Sequence, residues 1–111
     1  MSVKTIEMMI DWVDNHIKDN PTLEKMSENV GYSPYYCSIK FHEHVGMTFK
    51  QYKHKRKLSL SAIEVENSNK RFLDIALEYG FSSQEAFTRA FANVFGCTPY
   101  QYRKHKGQIT S

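Results

Sequence analysis

Arg89 and Gln84 carry the side chains best suited, in this 111-residue chain, to matching the hydrogen-bonding edge of another molecule. A guanidinium forks onto guanine O6 and N7, and a primary amide pairs with adenine N6 and N7. Thr88 lies on the same stretch, and Glu85 either accepts from cytosine N4 or holds Arg89 at i,i+4 spacing. About fifty residues earlier, Tyr35, Ser38, Ile39 and His42 hold comparable places with different chemistry. Tyr35 and Ile39 offer apolar contact to thymine methyls, and Ser38 offers a small hydroxyl. The later set carries more hydrogen-bond readout than the earlier one.

Charge is distributed to suit such a surface. The net charge is only +3, but residues 1–49 hold four Lys/Arg against seven Asp/Glu, while residues 50–111 hold eleven against five. The basic residues gather in Lys50, Lys53, His54, Lys55, Arg56 and Lys57, and again in Arg103, Lys104, His105 and Lys106. Clusters of this kind read either as phosphate-attracting patches or as solvated helix faces, and charge alone does not choose between them. Ser33, Lys40, Lys50, Lys55, Arg56, Ser82, Ser83, Asn93 and Arg103 are the residues expected to grip a phosphate backbone.

The elements that must position these side chains recur. Gly31-Tyr32-Ser33 answers to Gly80-Phe81-Ser82. After one extra residue, Phe41, Gly46, Thr48, Gln51 and Tyr52 return as Phe91, Gly96, Thr98, Gln101 and Tyr102. Each copy reads as a short amphipathic helix, a Gly-aromatic-Ser turn and a second helix, the layout of a helix-turn-helix.

Helical spacing of Ile6, Met9, Ile10, Val13 and Ile17 predicts a first helix over 4–18. Thr22 caps a second, ended by Gly31, and Ser33-Pro34 opens a third with Cys37, Phe41 and Val45 inward. Thr48 caps a long helix from Phe49 to Asn67, about 30 Å at 1.5 Å per residue. That length approaches one turn of B-DNA, about 34 Å. Its inner stripe is Tyr52, Leu58, Ala62 and Val65. Leu60 and Ile63 fit burial by a slightly rotated helix, the favoured reading, or an apolar spot for a partner.

Phe72, Ile75, Ala76 and Tyr79 then predict a short helix closed by Gly80. Ser82 or Ser83 caps the next, with Phe87, Phe91, Val94 and Phe95 inward. Thr98-Pro99 opens the last, with Tyr102 packed and Arg103 to Lys106 facing outward. The expected fold is all-α, about seven helices, with two helix-turn-helix units joined by a long central helix. The whole chain, 1–111, is then one DNA-binding domain, with lobes over 4–48 and 69–107 and a connecting helix over 49–68.

Other classes fit poorly. No HExxH, paired CxxC, nucleophile elbow or Gly-rich phosphate loop occurs, so no catalytic residue, metal site or cofactor is expected. Cys37 and Cys97 lack close spacing and read as packed or partly exposed thiols of a reducing, cytoplasmic compartment. No long apolar run predicts a membrane span. Double-stranded DNA is the expected partner. The alternatives are a helical protein-interaction adaptor and the DNA-binding fragment of a larger ligand-sensing regulator.

Ile75-Ala76-x3-Gly80-Phe81, Phe87-x3-Phe91 and Gly96-x-Thr98-Pro99-x2-Tyr102-Arg103 together resemble the AraC/XylS-type bacterial transcription regulators. Leu23-x2-Met26-x4-Gly31-Tyr32-Ser33-Pro34 extends the likeness, which runs from about Ile10 to Lys106. Ile10-Asp11-Trp12-Val13 is similar to the opening helix of the family's compact stand-alone members. The resemblance implies a monomer on an asymmetric promoter site, activating transcription by also touching RNA polymerase. It places Tyr35, Ser38, Ile39, Gln84, Thr88 and Arg89 among base-contacting residues. Two positions depart from the family pattern, Ile39 where Arg is common and Glu85 where Gln is usual, which implies a different DNA target.

Overall fold

The computed structural model describes the backbone of residues 2–109, with side chains through His105. Among these residues seven α-helices follow one another and no strand forms. They are α1 (Val3–Asn15), α2 (Leu23–Val30), α3 (Pro34–Val45), α4 (Phe49–Asn67), α5 (Phe72–Glu78), α6 (Gln84–Phe95) and α7 (Pro99–Ile109). The chain divides into two units between Arg56 and Lys57, inside α4. That boundary falls within the helix expected to connect the two lobes.

In the first unit, Ser2 caps α1 by accepting from the Thr5 N–H at 3.3 Å. Ile6, Met9 and Val13 are buried along it, and Ile17 is buried just beyond. α1 stops at Asn15, three residues short of expectation. His16 leaves helical geometry at φ −114°, Ile17–Asp19 tighten into a 3₁₀ turn, and Asn20 takes φ +52° before the buried Pro21. His16 also stacks on Trp12 at 4.5 Å and donates from Nδ1 to the Trp12 carbonyl at 2.8 Å.

Thr22 caps α2, accepting from the Lys25 N–H at 3.2 Å. The turn into α3 depends on Gly31 at φ +84°. An added Cβ would meet nothing within 4 Å, so backbone conformation, not space, demands glycine. Cys37 and Phe41 are fully buried on α3, whereas Val45 is half-buried. Phe41 meets Phe49 and Tyr52 edge-on, with centroids 5.9 and 5.5 Å apart.

The second unit repeats this joint. Phe91, also fully buried, meets Tyr102 edge-on at 5.3 Å and touches Phe87 and Phe95 at 5.6 and 4.5 Å. Leu58, Ala62 and Val65 are buried as expected, joined by Ser61, whose hydroxyl donates to the Leu58 carbonyl at 2.8 Å. α5 closes with paired bonds from Gly80 N–H to Leu77 O and Phe81 N–H to Ala76 O, the Schellman arrangement. Two apolar residues depart from expectation. Val94, expected inward, is 40% exposed near the end of α6, and Ile63 is 52% exposed, so rotation of α4 buries Leu60 only in part. No helix among the described residues is long and apolar enough to cross a membrane.

Candidate nucleic-acid interface

Each second helix of the two turn motifs is fixed at its start by a serine. Ser33 accepts from the Tyr36 N–H at 3.1 Å and Pro34 fills the first position of α3. Ser83 accepts from the Ala86 N–H at 3.0 Å and begins α6. Ser83, not Ser82, therefore matches Ser33, and the extra residue of the second copy lies in the turn before the cap. The helices are then in register fifty residues apart: Tyr35 with Glu85, Ser38 with Thr88, Ile39 with Arg89.

With Cys37 and Phe41 anchored inside, α3 turns the opposite face outward. Tyr35 is 77% exposed, Ile39 is 38% exposed, and Ser38 and His42 are exposed beside them. Ser38, Ile39, His42 and Glu43 line a surface groove of about 350 Å³. Lys40 is held along its own helix, 3.3 Å from the Glu43 carboxylate and 5.6 Å from the Tyr36 ring, which in turn stacks on Tyr32 at 5.2 Å.

On α6, burial of Phe87 and Phe91 leaves Gln84, Glu85, Arg89 and Asn93 exposed, with Thr88 half-buried. No ion pair joins Glu85 to Arg89 among the described residues, so the two heads are separately presented to solvent. Ser82 is exposed in the turn.

The basic clusters split into open and committed members. Lys50, His54, Lys55, Lys104 and His105 are exposed, and the Lys106 side chain lies outside the described residues. Arg56 donates from Nε to Asp14 Oδ1 at 3.0 Å, an oxygen that also accepts from the Tyr52 hydroxyl at 3.1 Å. Lys53 reaches the Pro21 carbonyl at 3.1 Å and Asn20 Oδ1 at 3.3 Å. Lys57 sits 4.3 Å from the Phe81 ring.

Arg103 corrects the expectation that it faces outward. Its Nε donates to the Val65 carbonyl at 2.7 Å, its Nη2 donates to the Lys70 carbonyl at 2.9 Å, and the guanidinium carbon lies 4.3 Å from the Phe72 ring. The end of α4 leaves carbonyls without helical partners, and a planar multi-donor cation satisfies two in that region. Lys53 and Arg103 occupy the same register in the two copies, and each ties its helix to a preceding loop.

A second recurring device is the capping box. Thr48 Oγ1 accepts from the Gln51 N–H at 3.1 Å while Gln51 Oε1 accepts from the Thr48 N–H at 3.0 Å. Thr98 and Gln101 repeat it at 3.2 and 2.9 Å. The Thr-x-x-Gln spacing carries this signal in the sequence itself.

The arrangement is two turn motifs, each presenting a buried-anchored helix with one exposed, chemically varied face. Comparison with known proteins agrees with it. The helix-turn-helix domain family matches residues 26–105. The chain is 36% identical to the multiple antibiotic resistance protein MarA of Escherichia coli (strain K12) over 99 residues, 89% of this chain and 78% of that protein. It is 33% identical to the regulatory protein SoxS of the same strain over 100 residues, 90% of this chain and 94% of that one. The fold is similar to that of a transcriptional regulator with an AraC-type DNA-binding domain from Chromobacterium violaceum. There the TM-score is 0.89 at 21% identity, over 95% of this chain and 94% of the other. The chain belongs to the AraC/XylS-type helix-turn-helix regulators, in the branch of MarA and SoxS, and is a sequence-specific DNA-binding transcription regulator.

Proposed function

We propose that α3 and α6 are both recognition helices, entering two major-groove segments of one promoter duplex. The observation that carries this is the exposed N-terminal face of each, built on a serine cap and a buried aromatic anchor. In α6, Gln84 and Arg89 contact base edges, with Thr88 and Glu85 beside them. In α3, Tyr35, Ser38, Ile39 and His42 do so. Lys50, Lys55, Ser82 and Asn93, all exposed, hold phosphates around them. Ser33 and Ser83 present the free N–H groups of their helix starts to the backbone, and Lys40 and Arg56 add charge from within their ion pairs.

The protein acts as a monomer and an activator that also touches RNA polymerase, a reading supported by the likeness to MarA and SoxS. Selection from a randomised duplex library, followed by footprinting, tests it. Two dissimilar short blocks about one helical turn apart, bound by one chain, are the expected result. A single block removes one helix from the proposal, and no enrichment over random duplex removes both.

A further inference from the structure

The register of the two copies sets Ile39 where α6 carries Arg89. One position on a common scaffold thus offers a forked cation in one unit and a branched hydrocarbon in the other. Ile39 is 38% exposed in the middle of the face, and Tyr35, one turn earlier on the same stripe, is 77% exposed. Water is a poor neighbour for both, and neither can fork onto guanine. The adjoining cation in sequence, Lys40, is paired with Glu43 at 3.3 Å. The shallow surface groove beside Ile39 is lined also by Ser38, His42 and Glu43.

Among base edges in the major groove, only thymine presents a methyl group, next to its O4 acceptor. Beside Ile39, the Ser38 hydroxyl and a His42 ring N–H can donate to that O4, while the methyl itself is what sets thymine apart. We propose that the groove at Ile39 seats the C5-methyl of a thymine, making Ile39 the residue by which the first recognition helix demands a T·A pair. Tyr35 lies four residues away, about 6 Å along the helix, and covers the neighbouring step of the same block. This rests on α3 being a recognition helix, and it adds what that helix selects.

The test uses duplexes selected by the wild-type protein, with each thymine replaced singly by deoxyuridine, which removes the methyl and leaves every hydrogen-bonding group. The block that loses its preference in Ile39→Ala, while the other keeps it, is assigned to α3. One thymine in that block is expected to bind about fourfold more weakly as deoxyuridine, the value of one buried methyl. In Ile39→Ala the thymine and deoxyuridine duplexes are expected to bind alike. Equal binding of every deoxyuridine duplex by the wild-type protein overturns the proposal, as does a methyl effect that survives in Ile39→Ala, or an α3 block without thymine. Each of those results leaves α3 as a recognition helix of another preference. Absence of any α3 block overturns the proposal together with the reading beneath it.

Discussion

Arg103 offers the sharpest separation between a structural cation and a phosphate-gripping one. Its guanidinium makes two hydrogen bonds to main-chain carbonyls, of Val65 at 2.7 Å and Lys70 at 2.9 Å, and covers the Phe72 ring at 4.3 Å. Arg103→Met keeps the apolar stem over the ring and removes both bonds and the charge. A hydrogen bond from a charged donor contributes about 1.5–3 kcal/mol, and a cation over a ring about 0.5–1 kcal/mol at exposed sites. The head is only partly buried, so the low end of these ranges applies. The expected loss is about 2–4 kcal/mol of unfolding free energy, read by urea denaturation. Arg103→Lys, with a single point charge in place of a fork, should recover part of it.

The same variants are then titrated with DNA at several salt concentrations. A residue that neutralises no phosphate leaves the slope of log K against log salt unchanged. Loss of one phosphate contact lowers the slope by about 0.9. Stability within about 0.5 kcal/mol of wild type, together with a slope lowered by about that amount, would refute the structural assignment.

Gly80→Ala should cost about 1–2 kcal/mol despite open space around the site, because φ is +80° there; urea unfolding reads it, and an unchanged midpoint would show that the turn relaxes freely. Burial, then the Asp14 charge and hydrogen bond, push the Tyr52 pKa from 10.0 up to about 12. The folded state keeps that proton after the unfolded state loses it, so the stabilisation is full below about pH 10 and is lost as pH rises towards about 12. Urea midpoints should fall over that window, and fall less steeply in Tyr52→Phe. Some slope should remain, because burial and Glu64 raise Tyr79 in the same direction. Lys55→Ala should weaken specific and random duplexes equally, whereas Arg89→Ala should cost about 1–3 kcal/mol on the selected site and relax its preference, both read by competition binding.

Helix boundaries were highly legible because side chains write them. Thr22, Ser33, Thr48 and Thr98 cap helices where their positions promised, and Gly31, Gly46, Gly80 and Gly96 all take positive φ at helix ends. The exposed faces of α3 and α6 followed by subtraction once the buried aromatics were identified. What a linear pattern does not carry is the destination of a long side chain. Arg103 and Lys53 sit in runs of positive charge, yet both turn to carbonyls far away in sequence. Spacing likewise could not separate Ser82 from Ser83, because either fits a cap and only the turn geometry decides. Ile63 and Val94 lie on the edges of their apolar stripes, where a small rotation changes exposure.

The recurrence separates scaffold from recognition, and that division can be tested directly. Residues shared by the two copies are caps, turn glycines and the aromatic joint of Phe41 with Tyr52 or Phe91 with Tyr102. Residues that differ at matched register, Tyr35 with Glu85, Ser38 with Thr88 and Ile39 with Arg89, lie on the outward faces. A scaffold tolerant of either set should accept a transplant. The triple change Tyr35→Glu, Ser38→Thr, Ile39→Arg touches only exposed α3 positions, so stability should stay within about 1 kcal/mol of wild type. Library selection with this variant should leave one block as it was and move the other towards the sequence chosen by α6. A folded variant that still selects the original pair of blocks would mean that these three positions do not choose the base pairs, and that specificity on this side comes from DNA shape or from the flanks of α3.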